Sequence, residues 1–210
     1  SDDWRDKDKL FTCSKFINKD TDFVYHRLRV VRESKKKLFK KNFLRTRKLS
    51  KPIIEDLLIN GNNIQNSSVI VRKKLLIEVG KLSEDKSIVT AEDFNLWLRL
   101  ATITDKFTYI PKTLGSYFIH EDNSLNHDSW RFTEKACEPF LYLLNEKKRS
   151  LYQAQINFIK GKCFYHAGDY SSSIKSFSEA QKNRISFSRI LKIFIFKFFI
   201  KVMVLKKDYS

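Results

Sequence analysis

Two acidic pairs and one histidine are the residues best suited to chemistry. Asp2 and Asp3 adjoin Trp4 in the turn Ser1-Asp2-Asp3-Trp4. Neighbouring carboxylates in a turn can bind a hard divalent cation, which can in turn hold a diphosphate. They serve equally as a solvated turn or a helix cap. Glu92 and Asp93 follow Thr90, a spacing that predicts a capping box at a helix start, where the dipole favours carboxylates. A carboxylate held rigidly there can also act as a general base. His120 ends an apolar run and enters the polar stretch Glu121-Asp122-Asn123-Ser124. It is either structural or a partner of the amino-terminal aspartates.

Elements must hold these groups. A short helix is expected around 9–17. Asp22 to Val31 alternates β-branched and aromatic residues with basic ones and predicts a strand. Ser67 to Val71 predicts a second strand, and Arg72 to Val79 a helix with Gly80 just past its end. Thr90 to Ala101 predicts a helix whose apolar face is Phe94, Trp97, Leu98 and Ala101. Two more strands, Phe107 to Ile110 and Leu114 to Ile119, are expected on either side of Pro111. From about Trp130 to Asn183 the chain is helical. Gly168-Asp169 supplies the turn of a tetratricopeptide-like hairpin, and small residues at 161 and 180 permit close helix approach. A single repeat must pack its face on something else, and the preceding domain is the expected support.

Composition sets limits. The chain has 210 residues, 42% of them hydrophobic, which suffices for a packed core. It contains neither a GxGxxG fingerprint nor a P-loop, which excludes those two phosphate cradles. Cys13, Cys137 and Cys163 form no CxxC pair, against a disulfide scaffold or a cysteine zinc site and in favour of a reducing compartment. The net charge is +17, and it is uneven. Arg27 to Lys51 holds 12 basic residues and one acid, Glu33. Lys182 to Lys207 holds eight basic residues and no acid. The first stretch reads as an irregular polybasic insertion. The second, Ile190 to Leu205 with lysines at 192, 197 and 201, suits either a core helix or a helix lying in an anionic headgroup region with its lysine stems reaching lipid phosphates. Its Phe residues are not interleaved with polar ones, against a stacking surface for RNA.

The order Ser-Asp-Asp-Trp, Asp22-Phe-Val-Tyr25, Gly61-Asn-x-Ile-x-x-Ser-Ser-Val-x-Val-Arg72, Val79-Gly80, Glu92-Asp-Phe-Asn-Leu-Trp-Leu-Arg99, Tyr109-Ile110 and Tyr117-x-x-His120 with Asn123-Ser124 resembles the family 2 glycosyltransferases across residues 1–127. The resemblance implies an α/β fold: an incomplete glycosyltransferase-A-type mixed sheet flanked by helices. It further implies inverting transfer of a sugar from a nucleotide-sugar donor to a glycan or lipid-linked acceptor, in cell-surface polysaccharide synthesis. Asp2, Asp3 and His120 would hold Mg²⁺ or Mn²⁺ and the donor diphosphate. Asp93 would be the base, with Glu92 as the second candidate. Asn62 and Ser67 would line the acceptor cleft, beside Trp97 and Arg99 as packing and positioning residues.

The family's nucleotide-binding half precedes the acidic motif, so the chain, which begins at Ser1, is expected to be part of a longer protein and inactive by itself. The expected division is 1–127 as the catalytic portion, 128–183 as the helical extension and 184–210 as the basic apolar helix. A cytoplasmic location on the inner face of the cell membrane is expected, with no nucleic-acid partner. The alternative is a non-catalytic binding or scaffold module built on the hairpin and the basic segments.

Overall fold

Alternation of aromatic and β-branched residues makes Phe23–Arg32 the spine of the sheet. In the computed structural model, which describes residues 3–32, 43–44, 46–119, 127–183 and 185–208 (side chains to 204), this segment is strand β2, preceded by β1 (Trp4–Arg5) and helix α1 (Lys9–Ser14). After it come α2 (Ile53–Asn60), β3 (Val69–Val71), α3 (Lys73–Glu78), α4 (Glu92–Ile103) and β4 (Phe107–Ile119). The four strands run in the order β1-β4-β2-β3. The central pair, β2 and β4, is parallel, and both edge strands are antiparallel to their neighbours. The protein is therefore a mixed α/β structure.

Because side chains alternate along a strand, neighbouring β2 residues serve two layers. Phe23 stacks on Phe107 at 4.3 Å and meets Trp97 of α4 edge-on at 5.0 Å. Val24 instead joins Ile110, Leu114 and Cys13 of α1. The face of α4 formed by Phe94, Trp97, Leu98 and Ala101 is buried as the spacing predicts.

Pro111 does not break the strand. β4 is continuous because the proline falls where the ladder skips: His26 pairs with Ile110, and Arg27 next pairs with Thr113. A bulge needs no N–H from its unpaired residue, so a proline is accommodated there. The second expected strand starts late, at Val69, behind a 3-10 turn at Asn66–Ser68. The capping box at Thr90 is not formed. Helix α4 begins at Glu92, and Thr90, with φ 67°, lies two residues before it in a left-handed conformation rather than the extended one a cap needs.

Part of the polybasic stretch is structured. Arg27 to Arg32 belongs to β2. Tyr25 donates its hydroxyl to the Arg47 carbonyl at 2.9 Å and accepts the Leu49 N–H at 3.0 Å. Arg47 is paired in a fork with Asp56 on α2. Burial pushes the Asp56 carboxyl up, but Arg47, the Ser50 N–H and Asn60 together outweigh it and hold it below the ordinary carboxylate value.

The chain divides into two compact units. One is Ser1–Asp85 with Glu92–Asn123, and the other is Lys86–Ala91 with Ser124–Ser210. The second unit is helical: α5 (Ser129–Cys137), a 3-10 stretch Glu138–Leu143, α6 (Glu146–His166), α7 (Tyr170–Gln181) and α8 (Phe187–Asp208). Asp169 caps α7 by accepting the Ser172 N–H at 3.0 Å. A Cβ at Gly161 would lie 2.6 Å from the Phe177 ring, so α6 and α7 approach at a distance only glycine permits. The face of this hairpin is covered within its own unit: Ile193 of α8 joins Phe158, Phe177 and Ala180 in one core, with Phe196 stacked on Phe177 at 5.3 Å. No helix among the described residues is long and apolar enough to cross a membrane.

Candidate active site

Asp3 is positioned by sheet pairing. β1 runs antiparallel to the last part of β4, with Trp4 opposite Ser116 and Arg5 opposite Gly115. That register brings the Asp3 Oδ1 to 3.1 Å from the Phe118 N–H, which donates to it. Asp3 lines a cleft of about 970 Å³ together with Trp4, Arg5, Asn66, Ser67 and Val69. One residue lining that cleft, Ser67, is anchored by a buried cation. Lys9, 4% exposed, donates from Nζ to the Ser67 carbonyl at 2.7 Å. Burial, then the charge of Arg5, lowers its pKa.

Asp93 sits in the first turn of α4. Asn62, just past the end of α2, reaches it with Nδ2 at 3.5 Å from Oδ1. Asn62 is itself fixed, its Oδ1 accepting the Ile64 N–H at 2.9 Å. Burial pushes the Asp93 carboxyl up to about 6, with Glu92 adding repulsion, against the opposing Phe94 N–H and Asn62. A carboxylate near that value is mostly ionised at neutrality yet basic enough to take a proton, the balance a general base needs. Glu92 has its Oε2 buried with no hydrogen-bond partner among the described residues.

Next to Phe118, whose N–H holds Asp3, stands Tyr117. Burial raises its pKa first, and the charges of Asp3 and Asp93 both add to the rise.

No family model, curated protein or solved structure matches the chain.

The other expected site residues are placed as follows. Asp2 and His120 lie outside the described residues. Ser67 lines the Asp3 cleft, and its Oγ is buried with no partner among the described residues. Asn62 is at Asp93. Trp97 lies in the core at 2% exposure, packed on Phe23. Arg99 points to the α3 end, donating to the Lys81 carbonyl at 2.6 Å, to the Val79 carbonyl and to Asn95. Sequence reasoning passed over Lys9, Arg5 and Tyr117 as site residues. Only Tyr117 carried a signal, as the start of Tyr117-x-x-His120.

For a divalent cation, Asp3 is a hard oxygen donor of fixed orientation at a cleft rim, which fits Mg²⁺ or Mn²⁺ in kind. Among the described residues no group of three His, Cys, Asp or Glu gathers to complete such a site.

Proposed function

We propose that the first unit is the acceptor side of an inverting, nucleotide-sugar-dependent glycosyltransferase of the glycosyltransferase-A type, acting on a glycan or lipid-linked hydroxyl. What supports this reading is a carboxylate fixed at a cleft rim, Asp3 held by the Phe118 N–H at 3.1 Å, together with Asp93, which burial in the first turn of α4 pushes up to about 6.

In this reading Asp93 takes the proton of the acceptor hydroxyl as its oxygen attacks the anomeric carbon. The bond from that carbon to the donor phosphate breaks, the nucleoside diphosphate leaves, and the configuration inverts. Asn62 steadies the Asp93 carboxylate through the transfer. Glu92 is the alternative base. Asp2, Asp3 and His120 would hold Mg²⁺ or Mn²⁺, which when bound supplies charge stabilisation to the leaving diphosphate. Residues 1–210 alone would bind a UDP-sugar with Mn²⁺ only weakly, because the family's nucleotide-binding half is not among the segments that carry the resemblance. A scaffold role for the hairpin is less favoured, since α8 already occupies its Phe177 face.

The test is release of nucleoside diphosphate by the chain with the residues encoded ahead of Ser1 restored. Asp93→Asn should lower kcat by roughly 10²- to 10⁴-fold while donor affinity stays unchanged. Full turnover by that variant would remove the assignment.

A further inference from the structure

Helix α8 is apolar on two opposite sides, and only one is used inside the protein. Ile193 and Ile200 are buried, and Phe196 packs on Phe177 and Tyr165. Phe187, Leu191, Phe194 and Phe198 recur at spacings of four, three and four, which places them on a single stripe. This stripe faces away from the hairpin: Phe187 is 78% exposed, Phe194 67%, Phe198 57% and Leu191 50%. The rotation of the helix about its axis is fixed. Lys197 donates from Nζ to Gln181 Oε1 at 2.7 Å and to Ser178 Oγ at 3.1 Å, both on α7. The aromatic stripe cannot turn inward without breaking these bonds and unpacking Ile193.

A run of exposed Phe and Leu in water needs a cover. The charge selects which one. Lys182 to Lys207 carries eight basic residues and no acid, and Lys201, exposed, borders the stripe. A second copy packed stripe to stripe would set two such stretches side by side with nothing to offset their repulsion. An anionic lipid surface presents phosphate to the lysines and acyl chain to the phenylalanines at the same depth.

We propose that the Phe187–Leu191–Phe194–Phe198 stripe of α8 docks the protein in the plane of an anionic bilayer, with Ile193, Phe196 and Ile200 retained as its internal anchor. This inference stands on α8 alone and does not depend on the enzymatic reading.

Sedimentation of the 210-residue chain with phosphatidylcholine vesicles, with and without phosphatidylglycerol, tests it. Binding should require phosphatidylglycerol and weaken as salt is added. The double variant F194S/F198S, altered only at exposed positions, should keep its circular dichroism and bind on the order of 10- to 100-fold more weakly. The Phe194→Trp variant should gain fluorescence quenched by brominated lipid beyond that of the unaltered chain. Unchanged pelleting of F194S/F198S would overturn the proposal. So would a dimer in solution that this variant dissociates while vesicles leave the chain in the supernatant, since the stripe would then be a self-interface.

Discussion

The Phe118 amide donates to the Asp3 carboxylate across 3.1 Å, joining two residues 115 positions apart in sequence. Asp3 therefore reports the position of the β4 end, and Tyr117, one residue earlier, shares its electrostatic surroundings with Asp93. Anything that moves β1 or shifts β4 changes the candidate site as a whole.

The ionisation of Asp93 sets a pH profile. With its carboxyl pushed up to about 6, the base form is lost as pH falls through that value. Transfer by the polypeptide extended ahead of Ser1 should decline tenfold per pH unit below about 6 on the acid limb. An acid limb centred near the ordinary carboxylate value of 3.8 would show that another group is the base.

Stability should respond in the opposite sense. The folded-state value of Asp93 lies above its ordinary value of 3.8, so the group is penalised only when ionised. The penalty is absent below pH 3.8, grows between 3.8 and about 6, and persists above. Asp93→Asn should therefore stabilise the fold at pH 7.5 by on the order of 2 kcal/mol and leave it unchanged at pH 3.5. Urea unfolding at the two pH values checks this.

Gly115 decides whether β1 can dock. A Cβ there would lie 2.6 Å from the Trp4 carbonyl oxygen and 3.2 Å from Leu28 Cδ2. The first of these is backbone and cannot swing aside. Gly115→Ala should displace β1, break the Asp3–Phe118 hydrogen bond and expose the Phe118 amide to faster hydrogen exchange, with a stability loss of about 1–3 kcal/mol. Exchange of that amide at the unaltered rate would show that β1 tolerates the methyl group.

Asp56 is buried at 6% exposure and bound by Arg47, Ser50 and Asn60. Removing one partner of a buried pair leaves the other charge uncompensated. Asp56→Ala should cost about 3–5 kcal/mol and free the segment around Leu49. A loss below about 1 kcal/mol would mean that Arg47 finds water instead.

Much of the local structure was legible because it is periodic. The β2 alternation and the four-residue face of α4 follow from side-chain spacing alone. Helix α2 was missed: Ile53, Ile54, Leu57 and Leu58 are all buried, but this eight-residue run directly follows a dense cluster of basic residues, whose charge masked its short periodicity. Its Pro52 start and Gly61 end, with Gly61 at φ 78°, were the available punctuation. Pro111 was misread because strand pairing, not local preference, decides whether a missing N–H matters. Within the site, the acidic residues announced themselves by type. Lys9 depends on a contact between distant segments, its bond to the Ser67 carbonyl, and no local pattern encodes that.

Phe23 pairs with Phe107 and Arg32 with Ile119, so nine steps along β2 are matched by twelve along β4. The surplus of three is odd, and side chains alternate, so the two ends of β4 are out of phase relative to β2. The surplus is taken up in two places, two residues between Ile110 and Thr113 and one between Thr113 and Ser116. Ser116, where β4 pairs with β2 again after both skips, is also the residue opposite Trp4, so the skipped rungs set where β1 docks.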